Sequence, residues 1–161
     1  MTDDEAITNL RLDALKKFRI VIRAAQRHSA WIEKRCGISG AQLWMLQELR
    51  DQPGIRVGQL ATKLAIHQTT ASNLLHELGQ KGYVVKVRDT DDHRVVHLKL
   101  SKLGVAALAQ APKPARGLIP EAIIKLDERG LQDLNRALQE LSDSMSELDE
   151  GLGMLPLPFT M

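Results

Sequence analysis

The change of hydrophobic period within residues 57–100 constrains the fold more than any other feature of this chain. Val57 to Leu64 places Leu60, Ala61 and Leu64 on one side of a short helix, and Ala65-Ile66 reads as a turn. His67 to Lys81 then places Ala71, Leu74, Leu75 and Leu78 on one side of a second helix, which Gly82 stops. Beyond it the period drops to two. YVVKV (83–87) and RVVHLKL (94–100) alternate apolar and polar residues around the polar segment RDTDDHR. Two short helices joined by a tight turn and followed by a hairpin with a charged tip predict a winged helix-turn-helix.

Longer helices flank this unit. Leu15, Phe18, Ile22, Ala25 and Ile32, with Ser29 filling the gap, share one face of a long first helix that ends near Cys36-Gly37. Ser39 and Gln42 form a capping box for the next helix, whose stripe is Leu43, Leu46 and Leu49 and whose stop is Gln52-Pro53-Gly54. Ser101 caps SKLGVAALAQ, after which Pro112, Pro114 and Pro120 exclude one straight helix, since an interior proline costs about 3 kcal/mol. Asp127 caps a last helix carrying Leu131, Leu134, Leu138, Leu141, Met145 and Leu148 at strict three-four spacing, a stripe that calls for a partner. The closing GLGMLPLPFTM is apolar and proline-rich, as for a tail packed on a neighbouring subunit. The expected fold is mainly α with a small β-hairpin wing. Residues 39–100 are the winged helix-turn-helix, and 1–38 and 101–161 are the dimerisation helices.

Charge narrows the partner. Residues 56–102 hold eight Lys/Arg against four Asp/Glu and four of the five histidines, whereas residues 103–161 hold five Lys/Arg against nine Asp/Glu. A basic middle beside an acidic tail points to a polyanion. The acidic, polar start (MTDDEAITNL), the lone Cys36 and the lack of a long apolar run fit a cytoplasmic protein off the membrane. No HExxH, GxSxG, phosphate-binding glycine loop or paired metal ligands occur, so neither an enzyme nor a metal or other cofactor is expected.

The second short helix opens with HQTTASNLL, where Gln68, Thr69, Thr70, Ser72 and Asn73 crowd two turns. One such residue suffices for a cap. Several together suit the edges of bases in double-stranded DNA. Gln68 and Asn73 can each make a bidentate contact to adenine, and Thr69 and Ser72 can bond to most bases, good bidentate pairs discriminating by about 1–3 kcal/mol. At the hairpin, Arg94 is the expected minor-groove contact and Arg88 the second phosphate or wing contact. Asp92 is expected to steady the wing by pairing with an arginine. Asp89, Asp91 and Asp92 together would repel DNA unless some are neutralised.

The order and spacing of three stretches, QLATKLAIHQTTASNLLHELGQKGYV, RDTDDHR and LKLSKLG, resemble the MarR family of bacterial transcription regulators over roughly residues 10–150. Leu60-Ala61, Lys81-Gly82, the Asp92-His93-Arg94 triplet and Leu100-Ser101 with Gly104 match the family pattern. The resemblance implies a homodimer on a pseudo-palindromic operator, usually a repressor, released by a small phenolic or other aromatic acid. It assigns Thr70 and His76 to the sugar-phosphate backbone. It places an effector between the dimerisation helices and the winged helix, where Arg27, His28, Trp31 and Trp44 are the residues available. Redox sensing through Cys36, preceded by Lys34 and Arg35, is an alternative, although peroxide-sensing members carry their cysteine earlier, with tyrosine partners. A winged helix that contacts proteins and not DNA is another. Gly79 within the recognition helix, and the three prolines, depart from the family pattern and bear on operator geometry.

Overall fold

A computed structural model describes residues 2–161. Helix α1 runs Asp3–Cys36 and stops where Gly37 adopts a left-handed cap (φ 66°) that donates its amide to Glu33 O. Helix α2, Gly40–Asp51, starts with the expected capping box: Ser39 Oγ accepts from Gln42 N at 3.2 Å, and Ser39 N donates to Gln42 Oε1 at 3.0 Å. Helices α3 (Val57–Leu64) and α4 (Gln68–Gln80) follow, joined through Ala65 in the left-handed region. Strands β1 (Val84–Arg88) and β2 (Val96–Leu100) pair antiparallel with Val84 opposite Leu100, and Ile55 adds a one-residue bridge to Leu98. Helices α5 (Lys102–Gln110), α6 (Leu118–Ile124) and α7 (Glu128–Asp143) complete the main elements, before two short 3₁₀ turns, Glu150–Met154 and Pro158–Thr160.

The core is where the sequence pattern places it. Leu43, Leu46, Leu49, Leu60, Leu64, Ala71, Leu74, Leu75 and Leu78 are all buried, with Val84 and Leu98 of the hairpin beneath them. Gln42 extends from its capping box to donate to Glu77 Oε2 at 2.7 Å, which fixes α4 against the start of α2. Gly104 explains the Leu100-Ser101-Gly104 motif. Ser101 N donates to Tyr83 O, and a Cβ on Gly104 would overlap that same carbonyl, so α5 can seat on the hairpin root only through glycine.

Four expectations change at the edges. The strands are shifted from 83–87 and 94–100, because Arg94 and Val95 belong to the tip, where Val95 N donates to Asp92 O. The first-helix face is buried at Ala25, Ser29 and Ile32, while Leu15, Phe18 and Ile22 are exposed. The last helix ends at Asp143, leaving Met145 and Leu148 outside it. Ser142 and Ser144 are poor helix formers and bond back to the carbonyls of Leu138 and Glu140, competing with continuation of the helix. Finally, the apolar tail folds onto its own chain: Ser29 Oγ donates to Phe159 O at 2.6 Å, and His67 N donates to Met154 O at 3.0 Å.

The prolines act as the sequence suggests. Residues 111–117 are non-helical, and α6 resumes with Pro120 in its first turn, where the missing amide has no intrahelical acceptor to serve. No helix of the described residues is long and apolar enough to cross a membrane.

Candidate nucleic-acid interface

Helix α4 presents one polar face. Gln68, Thr69, Ser72, Asn73 and His76 are exposed and lie at steps of one, three, one and three, which keeps them on one side, while Ala71, Leu74, Leu75 and Leu78 hold the other side to the core. Thr70 is half-buried at the border. The question of capping has a direct answer: the N-cap is His67, and no side chain caps the helix. Among the described residues none of the five exposed side chains is spent on an intrachain hydrogen bond, so their donors and acceptors are available to a partner. The free amides of the first turn add a partial positive charge at the same end.

The hairpin follows α4 and packs on it through β1. Arg94 is exposed at the tip, and its amide donates to Asp92 Oδ1 at 3.0 Å. Asp92 therefore steadies the wing, but through a backbone amide two residues on and not through an arginine. A short aspartate turn needs no distant partner. Arg88 Nη1 donates to His93 O at 3.2 Å, across the hairpin. The acidic tip is partly neutralised by a residue that sequence reasoning passed over. Asp89 accepts Asp91 N and Asp92 N on one oxygen and His97 Nε2 on the other, at 2.9 Å. The His97 hydrogen bond, followed by the two amides, holds the Asp89 carboxyl down at about 2. The alternation of RVVHLKL marked position 97 as polar-face, which was the only available signal.

Behind the helix-turn-helix, a cavity of about 370 Å³ opens between α1, α2, α6 and the tail, lined by Ala25, Trp44, Ile66, Ile119, Leu157 and Phe159 among others. Of the four expected effector residues, His28 and Trp44 line it and Arg27 and Trp31 do not. Trp31 is 52% exposed, with its ring edge-on to His28 at 6.0 Å between centroids. His28 is buried and shares a 3.0 Å hydrogen bond with Pro114 O, so it serves as a satisfied core histidine as much as a lining group. Trp44 Nε1 donates to Glu48 Oε1 at 2.9 Å. Arg116, which sequence reasoning did not single out, also lines the cavity. Its Nε donates to Glu48 Oε1 at 2.8 Å and its Nη2 to Asp51.

Cys36 sits half-buried at a second cleft, beside Arg35, Tyr83 and Gln110. Burial pushes its thiol above the usual value, and Arg35 and Lys113 pull it down by less. The expected thiolate-promoting effect of Arg35 is real but outweighed. Among the described residues no group of three His, Cys, Asp or Glu side chains stands ready for a metal ion.

Comparison with known proteins finds the same resemblance. A MarR family model matches residues 23–95, the stretch from the buried half of α1 to the wing tip. Over those residues the chain is similar to the MarR family. The HTH-type transcriptional repressor MdtR of Bacillus subtilis is 26% identical over 68 residues, a match that spans 42% of this chain and 44% of that one. Thus less than half of that relative's length is covered. Among solved structures, a MepR-like protein complexed with pseudoligands superposes with a TM-score of 0.55 at 25% identity, covering 88% of this chain and 94% of that one. A cysteine-to-serine mutant of MarR from E. coli, complexed with operator DNA, gives 0.52 at 19% identity, with 80% and 95% covered; at that identity the likeness is one of fold. The MarR-type winged helix accounts for the two-stranded hairpin packed on α3 and α4, and for the glycine under its root.

Proposed function

We propose that this protein is a sequence-specific, double-stranded DNA-binding transcription regulator of the MarR family, acting as a repressor. The observation that carries this is the unspent polar face of α4: Gln68, Thr69, Ser72 and Asn73 exposed together, not used in capping, beside an exposed Arg94. Gln68 and Asn73 read adenine edges, Thr69 and Ser72 supplement them, Thr70 and His76 hold the sugar-phosphate backbone, and Arg94 enters the minor groove. Arg88 braces the hairpin and lends its charge. The solved structure of E. coli MarR with operator DNA and the repressor name of MdtR support the same reading.

The regulator acts as a homodimer on a pseudo-palindromic site. Helix α1 has 34 residues, about 50 Å at 1.5 Å per residue, and its first two turns expose Ile7 and Leu10. Helix α7 has no buried residue, although its Leu131, Leu134, Leu138 and Leu141 form one stripe. The exposed apolar face of α1 from Ile7 to Ile22 and the exposed Leu138 and Leu141 of α7 support pairing across a two-fold axis. The cavity beside Trp44 suits a small aromatic acid whose binding releases DNA, with Arg116 the nearest cation for its carboxylate.

Selection of duplexes from a randomised pool tests the assignment. Asn73→Ala should relax preference at one position in each half-site, while Arg94→Ala should weaken all sequences alike. An unchanged selected sequence in Asn73→Ala would remove α4 from recognition, and an unchanged affinity in Arg94→Ala would remove the wing.

A further inference from the structure

The ring of His97 faces two acceptors. Its Nδ1 lies 2.7 Å from Gly54 O, in the loop between α2 and α3, and its Nε2 lies 2.9 Å from Asp89 Oδ2, at the end of the wing turn. A carbonyl and a carboxylate can only accept. A neutral imidazole has one N–H, so it can satisfy one of these contacts and must turn a lone pair on the other. The imidazolium, with two N–H groups, satisfies both. We propose that His97 is a protonation-dependent clamp that fastens the wing to the helix-turn-helix, so that the posture of Arg94 on DNA follows pH. The clamp itself stands on geometry alone; its effect on DNA rests on the function proposed above.

The connections run the length of the hairpin. Asp89 Oδ1 gathers Asp91 N at 2.8 Å and Asp92 N at 3.2 Å, and Asp92 in turn accepts Arg94 N. At the other end, Gly54 N donates to Leu98 O and Leu98 N to Ile55 O, so the loop that holds His97 Nδ1 is itself stitched to β2. The ring therefore joins the turn that presents Arg94 to the loop from which α3 begins.

The charges around the ring favour the closed form. Asp89 faces it from the wing; Arg56, before α3, opposes its protonation. Lys99 stands two residues on along β2, and Lys102 opens α5, both exposed. On α2, Glu48 and Asp51 are engaged by Arg116. The hydrogen bond to Asp89, and then that to Gly54, raise His97 above its ordinary value. A raised histidine contributes fully below its free value near 6.5 and loses that contribution as pH rises through the folded value. Asp89, held at about 2, contributes above the ordinary carboxylate range and loses that contribution only as pH falls towards 2. The clamp is closed in mild acid and opens on the alkaline side.

Proton NMR titration of the imidazole signals tests this directly, with His97 assigned through His97→Gln. The midpoint of His97 should lie above 6.5 and fall towards it in Asp89→Asn. The amides of residues 94 and 95 should lose exchange protection over the same pH range. In anisotropy titrations, DNA affinity should fall several-fold from about pH 6 to pH 8, and by less in His97→Gln. A His97 midpoint at or below 6.5, or one indifferent to Asp89→Asn, overturns the clamp whether or not DNA binds. If His97→Gln fails to fold, Asp89→Asn and the wild-type exchange profile still decide the matter. A chain that binds no duplex, yet shows the raised midpoint, keeps the clamp and refutes the DNA reading alone.

Discussion

Replacing Gly104 by alanine adds one methyl group at the point where α5 crosses the hairpin root. In an exposed helix the exchange would stabilise by about 1 kcal/mol, because alanine is the better helix former. Here the new Cβ would overlap the Tyr83 carbonyl oxygen far inside 3.0 Å, and the atom in the way is backbone. Relief requires α5 to lift away and the carbonyl that Ser101 holds to turn with it. The first costs about 1–3 kcal/mol in overpacking, and the second loses the bond from Ser101 N, worth about 1 kcal/mol net. After the helix gain is subtracted, Gly104→Ala should destabilise by about 1–3 kcal/mol. Gly79 is the internal control, since it lies in α4, is exposed, and a Cβ there meets nothing within 4 Å. Gly79→Ala should stabilise by up to about 1 kcal/mol. Urea unfolding at one fixed protomer concentration should therefore separate the two variants by about 1–4 kcal/mol, in opposite directions from wild type. A Gly104→Ala protein as stable as wild type would refute the close-approach account of this motif.

Three further outcomes follow from the same geometry. Glu48→Ala should cost about 2–3 kcal/mol in urea unfolding, because the buried carboxylate accepts from both Trp44 and Arg116 and its loss leaves the Trp44 N–H without an acceptor; a neutral result would mean that the cluster is solvated. Alkylation of Cys36 by iodoacetamide at neutral pH should be slower than that of a free thiol, since burial raises its pKa and lowers the thiolate fraction, and a faster reaction would reinstate the redox reading. Benzoate-type ligands should quench fluorescence in Trp31→Phe but not in Trp44→Phe, because Trp44 lines the cavity and Trp31 does not; the reverse pattern would place the effector elsewhere.

Local chemistry made most of the frame legible. The caps at Ser39, Ser101 and Asp127 and the left-handed stop at Gly37 use partners within four residues, so a single sequence displays them. The switch from helical to alternating period placed the hairpin to within two residues at each end. Distant partners were not legible. His97 meets Gly54 across 43 residues and Arg116 meets Glu48 across 68, and no spacing rule brings those pairs together. Asp92 meets the Arg94 amide and not the arginine side chain expected for it, because its carboxylate takes the nearest amide before any side chain. The stripe of α7 misled in the opposite way: apolar spacing continued through Met145 and Leu148 after Ser142 and Ser144 had already drawn the backbone out of the helix. The tail carried apolar residues but no periodicity to say on which surface they rest.

The central claim is that the open face of α4, with Arg94 beside it, binds DNA in a sequence-dependent manner. The most direct test is a fluorescence-anisotropy titration of the full chain against duplexes tiled from the region upstream of its own gene, at two salt concentrations, with Arg94→Ala alongside. The account predicts tight binding to one tile, a steep loss with added salt as counterions are released, and weaker binding by the variant. Uniformly weak binding to every tile, the same in the variant, would contradict it and leave a MarR-type winged helix that contacts protein.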